Sequence, residues 1–122
     1  MKRKHSLGSL LAEIGTVESL EQALILYKEF GMRAASKSRK TQAEYSKVIA
    51  DLVAFLGGSG ITRPAQVGLA HLRIYQADLE KRGYRASTRN RKTYAIKGFF
   101  RFLHEYALVQ DDISKQLILP TV

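Results

Sequence analysis

The sequence predicts an all-α domain, a compact bundle of four main helices, and three observations carry that prediction. Apolar residues recur at helical spacing in four segments, around residues 17–30, 41–56, 69–82 and 87–106. The intervening stretches are helix-breaking: the polar run Ser36-Lys-Ser-Arg-Lys40, then Gly57-Gly-Ser-Gly60 with Pro64 beyond it, then Gly83. Glycine-bounded β-branched residues are isolated, so no strand emerges. The 122 residues fit one domain with a proper core, and neither a repeat nor a low-complexity tract interrupts them.

Residues 1–15 join a basic tip, Met1-Lys-Arg-Lys-His5, to Leu7, Leu10, Leu11 and Ile14. They read as a flexible or weakly ordered N-terminal arm, leaving residues 16–122 as the helical domain. The first helix, over residues 17–30, can be capped by Thr16 or by Ser19 with Gln22 completing a capping box. Val17, Leu20, Leu24 and Tyr27 form one stripe, while Ile25, Leu26 and Phe30 lie off it, so more than one neighbour should cover this helix. Gly31 either ends it or is passed through toward Ala35.

Thr41-Gln-Ala-Glu44 matches a capping box, with Thr41 as cap of a second helix running to Leu56. Tyr45, Val48, Ile49, Leu52 and Leu56 form its inward face. The opposite face, Ala43, Ser46, Lys47, Ala50 and Ala54, is nearly all small; it either admits a close neighbour or reflects alanine as a helix former. Residues 61–67 allow a single turn. The third helix, over residues 69–82, points Leu72, Tyr75 and Leu79 inward and stops at Gly83. The fourth opens at the hydroxyl pair Ser87-Thr88 and runs to Tyr106. At 100° per residue, Ala95, Ile96, Phe99, Phe102, Leu103 and Tyr106 fall within about 60° of one direction, and Asn90, Tyr94, Lys97 and Arg101 line the other side. Residues 107–109 continue briefly, Asp111-Asp112 can cap a last turn, and Leu117-Ile-Leu-Pro120 is an extended exit.

Composition bounds the function. There is no cysteine, which excludes disulfides and thiolate metal sites and suits the cytoplasm. No apolar run approaches the roughly 18 residues of a membrane span, and the N-terminus is too short and polar for a signal peptide. His5, His71 and His104 stand apart from carboxylates at ligand spacing, so no metal is expected. No phosphate-cradling GxxxxGK[ST] run, no nucleophile with base and orienter, and no cofactor motif is present; an enzyme is not expected. Twenty Lys and Arg against eleven Asp and Glu give a formal charge of +9. Eight of these cations lie from Lys81 to Arg101 with no acid among them, and Arg33, Lys37, Arg39 and Lys40 form a second acid-free group. Cations and short polar donors beside helix N-termini are what phosphate contact requires. The candidate DNA-binding residues are therefore Arg39, Lys40, Thr41 and Lys47 on or before the second helix, and Arg85, Ser87, Thr88, Arg89, Asn90, Arg91, Tyr94, Lys97 and Arg101 on or before the fourth. Asn90 and Arg91 have the chemistry to read adenine and guanine edges.

The pattern Thr41-x-x-x-Tyr45, Leu52-x-x-Phe55-Leu56, Leu72-x-x-Tyr75 and Ser87-Thr88 leading to Phe99-Phe100-x-Phe102-Leu103 resembles the core-binding domain of tyrosine recombinases, the SAM-like N-terminal module of phage integrases. The likeness runs over about residues 17–120, to Leu119-Pro120. It implies a module that forms half of a clamp on recombination-site duplex DNA, for integration or recombination, with the second and fourth helices facing the DNA and other protomers alongside. Two departures stand out. Val67-Gly68-Leu69 lacks the hydroxyl cap usual in the family, so the third helix is expected to fray. The catalytic arginines, histidine, lysine and nucleophilic tyrosine are not found, which makes the chain non-catalytic by itself, either an excised domain or a free-standing relative; the abrupt ending Leu119-Pro-Thr-Val122 favours excision. A second reading is a SAM-like protein-interaction module using an exposed Phe100 and the apolar first helix. A helix-turn-helix regulator fits worse, because these helices are long.

Overall fold

The computed structural model describes residues 15, 17–33 and 35–121. The N-terminal arm, Gly15 apart, and the Thr16 cap lie outside the described residues. Helix α1, Leu20–Leu26, starts from Ser19, whose Oγ accepts the Gln22 N–H at 3.1 Å while Gln22 Oε1 accepts the Ser19 N–H at 3.2 Å. The Leu20 N–H, free at a helix start, donates to the Thr62 carbonyl at 2.8 Å and ties α1 to the loop after the second helix. From Tyr27 to Met32 the chain continues as a π turn. Its wider winding aligns residues five apart, so Tyr27 and Met32 both point inward and both are buried. Gly31 is passed through. Leu26, off the predicted stripe, is buried as well, whereas Ile25 is exposed.

Helix α2 spans Arg39–Gly57, and its cap is Ser38, not Thr41. Ser38 Oγ accepts the Thr41 N–H at 3.1 Å and its hydroxyl donates to Thr41 Oγ1 at 3.0 Å. Two hydroxyl residues three apart competed for one cap, and the earlier one won; Thr41 sits inside the first turn and Glu44 does not reach back. Val48, Ile49, Leu52 and Leu56 are buried as predicted, but Tyr45 is only half-buried. Gly60, at φ +78°, turns the chain, and Pro64–Gln66 forms one 3-10 turn.

Helix α3, Leu69–Lys81, has no hydroxyl cap, yet its start is held: His71 Nδ1 accepts the Gly68 N–H at 2.8 Å. Leu72, Tyr75 and Leu79 are buried, and Gly83 (φ +90°) ends the segment. The Tyr75 hydroxyl donates to Asp51 on α2, and Arg82 bridges Asp51 and Asp78 at 2.9 and 2.7 Å.

Helix α4, Ala86–Glu105, is the axis of the fold. Neither Ser87 nor Thr88 caps it; the N-cap position falls to Arg85, which makes no side-chain capping bond. It packs against the π turn, α2, α3 and a 3-10 turn at Ile113–Gln116. Half its circumference is consequently buried, from Phe102 through Ala95, Phe99, Leu103 and Ile96 to Phe100 and Thr93. Phe100 is 0% exposed and so is no contact surface, contrary to the interaction-module reading. After Tyr106 the chain turns at Ala107 (φ +58°) instead of prolonging the helix. Asp112 Oδ1 caps the last turn through the Ser114 N–H at 3.0 Å, and residues 117–120 leave extended, with Leu117 buried. No strand occurs among the described residues.

Removing the cap of α2 checks this start. Ser38→Ala should lower stability by about 0.5–2 kcal/mol, and Thr41→Ala by clearly less; thermal melts of both variants give the order, which would reverse if Thr41 were the cap.

Candidate nucleic-acid interface

Residues 40, 43, 44, 47 and 48 fall on one side of α2 by helical spacing, and that side looks across at the N-terminal half of α4. The result is a groove of about 360 Å³ lined by Lys40, Ala43, Glu44, Lys47 and Val48 of α2 and Lys92 of α4. Ala43 keeps one wall low, and buried Val48 forms an apolar floor. Three lysines and one glutamate line it. Glu44 lies 3.9 Å from Arg91 Nε, a half-exposed pair that partly neutralises it and links the two helices.

The first turns of α2 and α4 contain no acid but carry or adjoin Arg39, Lys40, Arg85 and Arg89. Cations at that end oppose the helix dipole, so the arrangement lowers local stability unless an anion arrives. Arg39, Arg85, Ser87 and Arg91 are exposed, and Tyr94 (50%) and Arg101 stand open further along α4. Thr41 and Thr88 are half-buried.

The remaining candidates are engaged inside the molecule. Arg89 turns toward α3, its Nε donating to the Tyr84 carbonyl at 3.2 Å and its guanidinium 3.8 Å from Glu80. Asn90 Nδ2 donates to the Pro120 carbonyl at 3.1 Å, and Lys97 Nζ to the Ser114 carbonyl at 2.8 Å. The predicted stripe of Asn90, Tyr94, Lys97 and Arg101 is thus divided: two side chains hold the C-terminal segment and two are open.

Lys92 was not among the sequence candidates. On a helical wheel it falls within the apolar arc of α4, and only its long stem lets the ammonium reach the rim. Lys92 Nζ lies 4.5 Å from the Tyr84 ring centroid, a cation–π contact. The signal for it was present in the acid-free cation run.

A second hollow, about 380 Å³, lies between the π turn and the C-terminal half of α4, lined by Tyr27, Phe30, Gly31, Lys37, Gly98, Arg101, Tyr106 and others. The Tyr27 hydroxyl is buried with no hydrogen-bond partner among the described residues. Burial first, then the Tyr45 phenol, push its pKa up to about 12, with Arg101 opposing. Among the described residues no group of three or more His, Cys, Asp or Glu could hold a metal, and no helix is long and apolar enough to cross a membrane.

These features define an all-α module with a basic two-helix groove. The family model for the phage integrase N-terminal SAM-like domain matches residues 24–106, and the chain belongs to that family, a tyrosine recombinase-related domain. The match takes in the π turn, α2, α3 and α4, including the whole groove. Comparison with curated proteins and with solved structures gives no match.

The buried phenol predicts an alkaline weakness. Tyr27 has its folded pKa above the ordinary value near 10, as do Tyr75, raised by burial and the Asp51 bond, and Tyr45, raised by burial. Stability should therefore be intact below about pH 10 and fall as pH climbs toward about 12, because only the unfolded chain ionises freely. Tyr27→Phe should stabilise by about 1 kcal/mol at neutral pH by deleting an unsatisfied hydroxyl, and should flatten the alkaline decline; melts at neutral and alkaline pH measure both.

Proposed function

We propose that this domain binds duplex DNA as the non-catalytic grip of a site-specific tyrosine recombinase, with phosphates seated in the α2–α4 groove. The observation that carries the reading is the convergence of Lys40, Lys47 and Lys92 on one groove whose flanking helix starts are cationic and free of acids. A phosphate there gains three ammonium groups and relieves the electrostatic strain on two helix N-termini. Arg39, Arg85, Ser87 and Arg91 flank the groove as backbone contacts, with Thr41 and Thr88 supporting them from the first turns. Tyr94 and Arg101 extend the track along α4, and Arg91 is the open side chain best suited to a guanine edge. Arg89, Asn90 and Lys97 contribute once freed from their internal partners. The cytoplasm and further protomers on the same site belong to this reading. Strand cleavage would fall to residues outside this domain. A protein-interaction module is left with Ile25 on α1 as its surface, since Phe100 is in the core.

Titrating a random-sequence duplex at several salt concentrations tests the reading. Affinity should be weak and fall steeply with salt. Lys47→Ala and Lys92→Ala should each weaken binding several-fold and reduce the log–log salt slope by about 0.9, with the melting temperature little changed. Arg91→Ala should weaken it less, because Glu44 already offsets that charge. Affinity insensitive to salt, or none at low salt, would sink the proposal.

A further inference from the structure

We infer that residues 113–120 act as an intramolecular brake on nucleic-acid binding, a strap that occupies donors of α4 which a phosphate would otherwise take. The inference rests on the DNA-binding reading above. Three side chains from two helices hold the strap by its main chain alone: Lys97 donates to the Ser114 carbonyl at 2.8 Å, Asn90 to the Pro120 carbonyl at 3.1 Å, and Gln76 of α3 to the Ile118 carbonyl at 3.1 Å. Gln76 also donates to Thr93 Oγ1 at 3.2 Å, which joins the latch to α4. Of the extended part only Leu117 is buried; Ile118 is 73% exposed. At the turn the strap also seats buried Ser114 and half-buried Ile113, so the docking of its extended part is one apolar anchor plus carbonyl contacts, and the loop leading to it passes through Ala107 in the left-handed region, a conformation costly for a non-glycine residue. On one line of α4, Asn90 lies one turn before exposed Tyr94 and Lys97 one turn before exposed Arg101. DNA lying along that line meets two donors already taken. A phosphate is a stronger acceptor for the Lys97 ammonium than a neutral carbonyl, so DNA and strap compete. By reciprocity, strap docking weakens DNA binding by the factor with which DNA releases the strap.

The test uses the full chain and a random-sequence duplex. Leu117→Ala removes the anchor, and should tighten binding at low salt about 3–10-fold and steepen the log–log salt slope by about 0.9, the contribution of one freed cation. In a Lys97→Ala background the same substitution should leave the salt slope unchanged and tighten binding by less, since only the neutral Asn90 amide is then freed. Because Leu117→Ala also removes a core contact, hydrogen exchange of the unaltered protein supplies a second readout: duplex should speed exchange at residues 113–120 and not at buried α4 positions. Unchanged or weaker binding by Leu117→Ala, or strap amides that slow on adding duplex, overturns the brake. If Lys47→Ala and Lys92→Ala still weaken binding in that case, the groove stands without it. No binding by either the wild type or Leu117→Ala overturns both.

Discussion

The Tyr27 ring lies edge-on to Phe99 at 5.4 Å between centroids and tilted against Phe102 at 5.3 Å, wedged between two glycines. A Cβ on Gly31 would come within 2.4 Å of Tyr27 Cδ1 and 2.9 Å of Phe102 Cδ1, and one on Gly98 within 2.9 Å of the Tyr27 hydroxyl oxygen. The close approach of the π turn to α4 is therefore possible only with glycine on both sides. The π winding is part of the same constraint, because it turns Tyr27 and Met32 inward together. With that contact fixed, α4 becomes the element against which the π turn, α2, α3 and the C-terminal turn are all placed. The orphaned hydroxyl is its cost: a phenol is used where a phenyl ring would pack, and the polar atom has nowhere to go.

Toward the N-terminal end of α4 the electrostatics run against stability. The first turns of α2 and α4 lack the acidic residues that would complement their dipoles and place cations there instead. Elsewhere the charges are arranged conventionally: Arg82 is shared between Asp51 and Asp78, and Arg89 approaches Glu80. The mismatch is local, and it surrounds the groove of Lys40, Lys47 and Lys92. Local disfavour confined to one surface is the pattern of a site that awaits an anion, which is why the groove, more than the total charge, supports the DNA reading.

The helices were legible because their signals are local. Ser19 with Gln22, the apolar spacing of Leu72, Tyr75 and Leu79, and the punctuation at Gly60 and Gly83 each lie within a few residues of the feature they determine. The errors came where two local signals overlapped or where the partner is distant. Ser38 and Thr41 each offer a hydroxyl to a helix start, and the sequence does not rank them. Phe100 looked exposed because a wheel centred on Phe99 leaves it at the margin; it is buried because α4 is packed by several elements at once, and no periodicity encodes that. Asn90 and Lys97 bond carbonyls 30 and 17 residues further on. Main-chain carbonyls carry no side-chain signature, so such contacts are invisible in sequence even when the donors are named. Lys92 was left out of the candidates for the complementary reason: its wheel position is apolar, and it comes to line the groove through the length of its stem.

The division of the α4 stripe follows from the same physics. Asn90, Tyr94, Lys97 and Arg101 share a line because of helical spacing, but one flank of that line runs beside the seam between α3 and α4, where the extended segment lies. A backbone entering that seam brings carbonyls that must find donors. Asn90 and Lys97 are the donors within reach from α4 and Gln76 the one from α3, which makes the segment's hydrogen-bond satisfaction depend on residues whose other chemistry suits phosphate. In the reading proposed here, an amide and an ammonium placed for carbonyls serve equally as phosphate donors, so structural support and ligand capture cannot both be complete at these two positions. Tyr94 and Arg101, on the other flank, are exposed and make no bond to the segment, so in that reading they stay available whether or not it is docked.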